Sequence, residues 1–152
     1  MIRKAIFPGS FDPFTAGHLN ILNRALTMFD QVVIGIGENI GKKGYFDIQK
    51  KIDIIHQATK GMTGVEVIEY DCLTIEICRK MGIKHIVRGV RNMIDFETEK
   101  SIADANRRLA PDIETIIIPT SQEFAHISST AVRDILRHKG DTSLFIPEGV
   151  EL

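Results

Sequence analysis

Short apolar runs alternate along this chain with longer amphipathic segments, and that alternation constrains the fold more than any other feature. Ala5-Ile6-Phe7 is followed by His18, Leu22, Ala25 and Phe29 at helical spacing. Val32-Val33-Ile34-Gly35-Ile36 is followed by a segment in which Ile48, Ile52 and Ile55 share one face, opposite Lys50, Lys51 and Asp53. Val65 to Ile68 predicts a third strand, Leu73 to Met81 a short helix closed by Gly82, and His85-Ile86-Val87 a fourth strand. A long helix over about Asp95 to Leu109 stops before Pro111, Ile113 to Ile118 reads as a fully buried fifth strand, and a last helix covers about Ser128 to His138. Parallel strands need crossover connections, and right-handed crossovers lay helices on both faces of the sheet. The expectation is one α/β domain over residues 1–152, with five parallel strands between two helical layers.

Composition removes several function classes. At 152 residues with 43% hydrophobic and 26% charged residues, the chain suits one packed core rather than disorder. Nineteen Lys and Arg against 20 Asp and Glu give a net charge of -1, which argues against a broad footprint for nucleic acid or membrane, so any anion must be held locally. Cys72 and Cys78, five residues apart, fit neither a zinc knuckle nor a redox pair and are expected as reduced thiols. His18, His56, His85, His126 and His138 lack ligand spacing, so no dedicated metal site is expected. Neither a P-loop nor a Gly-x-Gly-x-x-Gly pattern occurs. No signal-peptide pattern and no run of about 18 apolar residues is found, and a cytoplasmic location is expected.

In an open parallel sheet, ligands bind beyond the carboxyl ends of the strands where the strand order reverses. The loop after the first strand, Phe7 to His18, holds two prolines and two glycines before a helix starting near Gly17. Amides at that helix start are expected to receive a phosphate beside His18. After the second strand, Asn39-Ile40-Gly41-Lys42-Lys43-Gly44 sets two lysines between glycines. After the fourth, Arg88-Gly89-Val90-Arg91 puts guanidinium forks where a buried strand emerges. After the fifth, Ser121 leads through Phe124 to Ile127-Ser128-Ser129-Thr130-Ala131-Val132-Arg133, hydroxyls at a helix start. Taken singly, each has an ordinary reading as a cap, a solvated charge pair or a surface salt bridge. Four loops with phosphate donors at one sheet edge favour a phosphate-rich ligand.

Thr15-Ala16-Gly17-His18 and Ile127 to Arg133 resemble the two signatures of the nucleotidyltransferase superfamily. Phe-Pro-Gly-Ser-Phe-Asp-Pro at 7–13, Val-Arg-Gly-Val-Arg at 87–91, Asp-Phe-Glu-x-Glu at 95–99 and Asn-Arg-x-Leu-x-Pro at 106–111 resemble the bacterial phosphopantetheine adenylyltransferases over nearly the whole chain. The resemblance implies a Rossmann-like dinucleotide-binding fold. It implies AMP transfer from ATP to 4′-phosphopantetheine, giving dephospho-coenzyme A and pyrophosphate, with magnesium carried by ATP. It further implies a cytoplasmic homohexamer open to feedback by coenzyme A. Carried over position by position, catalysis falls to His18, Lys42 and Arg91. ATP falls to Ser10, Phe11, His18, Gly89, Val90, Arg91, Glu99 and the run Phe124, Ala125, His126, Ile127, Ser128, Ser129, Thr130. The acceptor falls to Ser10, Lys42, Leu73, Thr74 and Arg88. Transferases acting on nicotinamide mononucleotide or glycerol phosphate, and a non-catalytic nucleotide or coenzyme A sensor, are the alternatives. The chain departs from the family pattern at Asn20, Gly41, Gly44, Lys50-Lys51, Thr98 and Phe124.

Overall fold

The computed structural model describes residues 1–39 and 41–152; Ile40, in the expected lysine loop, lies outside the described residues. Five strands, β1 (Lys4–Gly9), β2 (Gln31–Gly37), β3 (Val65–Tyr70), β4 (His85–Val90) and β5 (Glu114–Pro119), form one parallel sheet in the order β3-β2-β1-β4-β5. The chain winds outward from β1 to β3, then crosses back to β4 on the other side of β1. The reversal therefore falls between β1 and β4, which pair through Ile6 and Ile86.

The helices are α1 (Ala16–Ala25), α2 (Ile48–Ala58), α3 (Thr74–Met81), α4 (Met93–Leu109) and α5 (Ser129–Arg137), with a short 3-10 turn at Gln122–Phe124. Successive side chains of a strand point to opposite faces, and this divides the core in two. Phe7, Val32 and Ile34 pack with Leu22, Ala25, Ile54 and Ile55 on the α1 and α2 side. Ile6, Val33 and Ile86 pack with Ile75 and Cys78 on the α3 side. Because β1 and β2 are covered on both faces, they read as unbroken apolar runs rather than alternating ones.

Local chemistry sets the boundaries where the periodicity left them loose. α1 ends at Ala25 instead of running on to Phe29, whose buried ring packs from the turn that follows. α4 begins two residues before Asp95, because the Asn92 side chain accepts the Asp95 amide at 2.9 Å. Gly82 closes α3 with φ +67°, as expected. The fully buried fifth strand is not found. β5 is an edge strand in which only Ile118 is buried, since α4 beside it buries none of its own residues.

Gly89 carries α1 to the site. A Cβ there would stand 2.7 Å from Ile21 Cγ1, so its absence lets α1 lie against β4 with His18 at the strand reversal. The C-terminal segment returns across the same layer, where Ile146, Val150 and Leu152 join the core. Leu22 is the fully buried anchor of α1. Leu22→Ala is expected to lower stability by about 2–5 kcal/mol, read from urea unfolding, with the sheet signal in circular dichroism retained.

Candidate active site

The loop after β1 is held from inside. Phe11 adopts φ +46° and buries its ring edge-on to Phe7 at 5.2 Å and to His18 at 5.0 Å, with Phe14 beside it, 5.5 Å from Phe11 and 5.4 Å from the imidazole. Thr15 caps α1 and engages His18 through both its backbone and its side chain. Its amide donates to His18 Nδ1 at 2.9 Å, and its Oγ1 accepts the His18 amide at 3.3 Å. With Nδ1 accepting, the neutral ring carries its proton on Nε2 and offers a donor. Burial of the ring, then the charges of Arg88 and Arg91, push the His18 pKa down to about 3.

β4 and its following turn supply the cations. Arg88 makes a two-pronged pair with Glu99, both contacts at 2.7 Å, and donates through Nη1 to the Pro8 carbonyl. Arg91 pairs through Nε with Asp95 at 2.9 Å and reaches the Ile127 carbonyl at 3.5 Å. α5 is tied to the loop after β1 by Ser129 Oγ donating to the Pro13 carbonyl and Arg133 donating to the Asp12 carbonyl, each at 2.8 Å. The Ser128 side chain caps α5 through the Ala131 amide.

The two helix starts differ from expectation in one respect. At α1 the Ala16 amide donates to the Phe145 carbonyl and the His18 amide to Thr15, so this helix offers His18 and little free backbone. At α5 the amides of Ser129 and Thr130 find no partner among the described residues, and both residues line the cleft. The phosphate-ready helix start is that of α5.

Three cavities meet here. A polar cleft of about 330 Å³ gathers Ser10, Phe11, His18, Arg88, Gly89, Arg91, Glu99 and the run Ile127 to Thr130. A cavity of about 400 Å³, mostly apolar, holds Leu73, Thr74, Ile86 and Ile102, and shares Pro8, Gly9, Ser10, Arg88 and Glu99 with the first. Lys42 lines neither; it borders a wider basin that shares Ser10 and Arg133 with the cleft. Val90 is a buried core side chain, and Phe124, Ala125 and His126 are outside the cleft lining, beside the start of α1. Among the described residues no group of three His, Cys, Asp or Glu side chains could hold a metal ion.

Several site residues escaped sequence reasoning. Arg133 is four residues after Ser129, one helical turn along the same face, and that spacing was its signal. Tyr70 shares a 2.8 Å hydrogen bond with Thr74 in the apolar cavity, and Asp95 anchors Arg91; both pairs are four residues apart, but each joins a strand end or turn to a helix start, where helical periodicity does not apply. Asn20 bridges α1 to the segment after β5 through two 3.1 Å bonds with Ser121, a role an aspartate could fill only as acceptor. A Cβ on Gly17 would meet nothing closer than 3.5 Å, so packing alone does not require glycine there.

The profile of the Cytidylyltransferase-like family matches residues 6–135. A protein of Bacteroides fragilis named phosphopantetheine adenylyltransferase is 49% identical over 151 residues, 99% of this chain and 100% of that protein. One of the same name from Flavobacterium psychrophilum is 47% identical, covering 99% of both. Among solved structures, a putative nicotinate-nucleotide adenylyltransferase from Vibrio parahaemolyticus superposes with a TM-score of 0.73 at 18% identity, over 97% of this chain and 88% of that one. A bifunctional NMN adenylyltransferase/ADP ribose pyrophosphatase from Francisella tularensis gives 0.74 at 17% identity, this chain covering 45% of its length. At such identities the two structures establish a shared fold.

A depressed histidine pKa makes a signed prediction. Above about pH 6.5 His18 is neutral folded and unfolded; below it the unfolded chain takes up a proton that the folded chain refuses until about pH 3. The His18 contribution to stability is therefore intact above pH 6.5 and declines as pH falls toward 3. Urea midpoints between pH 7.5 and 4.5 are expected to fall more steeply for the native protein than for His18→Asn. In the free protein, NMR titration of the His18 ring is expected to stay flat from pH 8 to 5.

Proposed function

The chain belongs to the cytidylyltransferase-like family and, within it, to the phosphopantetheine adenylyltransferases, and from that membership we propose how its cleft works. The enzyme moves the adenylyl group of ATP onto 4′-phosphopantetheine, yielding dephospho-coenzyme A and pyrophosphate. The observation that carries the mechanism is the shared wall of the two cavities. A polar cleft ringed by phosphate donors opens, across Ser10 and Arg88, onto an apolar cavity suited to an uncharged arm.

In this reading ATP occupies the polar cleft, with its phosphates against Arg91 and the open amides of α5. The pantetheine arm occupies the apolar cavity near Leu73 and Thr74. Its phosphate meets Arg88, where one N–H on Nη1 and one on Nη2 remain after the bonds to Pro8 and Glu99. That phosphate is the nucleophile. Its second pKa is about 6, so it attacks already ionised and no general base is required. Attack on the α-phosphorus breaks the bond to pyrophosphate, and the transferred charge spreads over the α-phosphoryl oxygens. His18 meets it with Nε2–H from a ring that remains neutral, a donor fixed in advance by Thr15. Lys42 joins from the neighbouring basin to hold the acceptor phosphate beside Ser10.

Magnesium enters as part of the nucleotide substrate, held by phosphates and water. Coenzyme A, which bears the same arm, competes for the apolar cavity. Exposed Met93, Ile94, Phe96, Ile102 and Leu109 on α4 support self-association, read here as the homohexamer of the family resemblance. No helix among the described residues is long and apolar enough to cross a membrane, and the cytoplasm, where ATP is abundant, is the proposed location.

The test is pyrophosphate release from ATP and magnesium with 4′-phosphopantetheine, nicotinamide mononucleotide or glycerol 3-phosphate, with product masses measured. Turnover is expected with the first alone; turnover only with another acceptor overturns the assignment of the apolar cavity. His18→Ala is expected to reduce kcat by about 2–4 kcal/mol of transition-state stabilisation while ATP binding, followed by calorimetry, changes far less. Lys42→Ala is expected to raise the KM of the acceptor more than that of ATP.

A further inference from the structure

Asp12 carries a carboxylate for which the reaction has no use. It is only 8% exposed, and both of its oxygens are occupied. Oδ2 accepts the Tyr45 amide at 2.8 Å and Oδ1 the Phe46 amide at 2.9 Å. Those adjacent amides are the far foot of the segment that joins β2 to α2 and carries Lys42. Its near foot is the Glu38 amide, bonded to the Tyr70 carbonyl at 2.8 Å. Between the feet, the hydrogen bond found among the described residues is a local turn, Lys42 amide to Asn39 carbonyl at 3.1 Å. A Cβ on Gly44 would stand 3.2 Å from Asp12 Oδ2, so this glycine lets the lysine segment lie close against the carboxylate.

Asp12 itself is held fast. Its carbonyl takes Arg133 from α5, its neighbour Phe11 is buried in the core, and Phe14 is buried two residues on. Two neighbouring amides converging on one side chain require two acceptor oxygens. An aspartate supplies them, whereas an asparagine turns an NH₂ toward one of the amides.

We propose that Asp12 is the positioning residue for Lys42: its carboxylate clamps the foot of the lysine segment to the loop after β1 and so sets where the ammonium meets the acceptor. The proposal rests on the reading of Lys42 as a ligand of the acceptor phosphate. Asp12 acts through the segment, and it has no role of its own toward ATP.

The experiment combines a kinetic cycle with amide exchange. KM and kcat for ATP and 4′-phosphopantetheine are measured for Asp12→Asn, Lys42→Ala and the double variant, and hydrogen exchange over residues 41–47 is followed by mass spectrometry. Asp12→Asn is expected to speed exchange in that segment and to raise the acceptor KM on the order of tenfold, with the ATP KM nearly unchanged. Added to Lys42→Ala, it is expected to cost nothing further, because the group it positions is gone. A full additional loss in the double variant, an equal rise in the ATP KM, or unchanged exchange overturns the proposal. Should Asp12→Asn fail to fold, Asp12→Ser, smaller and still able to accept from one amide, takes its place in both measurements. Absence of turnover by the native protein with this acceptor refutes the functional reading instead, and the exchange contrast then decides whether the clamp exists.

Discussion

Bringing two polyanions together requires donors that do not move when the anions arrive, and here that rigidity originates in the loop between β1 and α1. Phe11 and Phe14 sink into the core on either side of Asp12 and Pro13, and the intervening backbone, buried with them, forms a fixed platform. From it hang the His18 ring through Thr15, α5 through the carbonyls of Asp12 and Pro13, and the lysine segment through the Asp12 carboxylate. A shift of this loop would displace His18, α5 and the lysine segment together. Under the proposed mechanism, the aromatic packing beneath it serves positioning as well as stability.

The electrostatics of the cleft are less positive than its arginines suggest. Arg88 is offset by Glu99 and Arg91 by Asp95, so both guanidiniums are oriented before substrate binds. Holding bare cations together in a half-buried cleft would carry a repulsion and desolvation cost that the pairing removes. The donors in the cleft that carry no charge are then the His18 Nε2–H, the α5 amides and the hydroxyls around them. The same two arginines, added to burial, keep His18 unprotonated. A neutral imidazole donates a hydrogen bond across the physiological pH range without titrating, as the proposed mechanism requires.

What could be read from local pattern was the order of elements and the loops that matter, because apolar periodicity and glycine or proline punctuation are local properties. Boundaries slipped where a side chain made the decision, as at Asn92 before α4. The fifth strand was misjudged because Ile113 to Ile118 is apolar enough for a central strand, and nothing in its residues says that the covering helix leaves its apolar side chains exposed. The α1 start also has fewer open amides than its residues suggest, for a similar reason. Thr15 and Ser128 look equally like caps, and only the return of the C-terminal segment, putting Phe145 against Ala16, closes one of the two.

Residue type and spacing carry the fold class and point to one edge of the sheet, where most of the groups lining the cleft are found. Packing of distant segments sets Glu99 on Arg88, Asn20 on Ser121, and the Asp12 carboxylate on the amides of Tyr45 and Phe46, whereas Asp95 and Arg91 are neighbours four residues apart. It also separated Lys42 from the cleft that holds His18. The physical reason is that chain spacing governs periodicity and capping. The protonation of an imidazole, the charge left on an arginine and the reach of a lysine depend instead on neighbours brought together by strand order and by the crossover between β3 and β4.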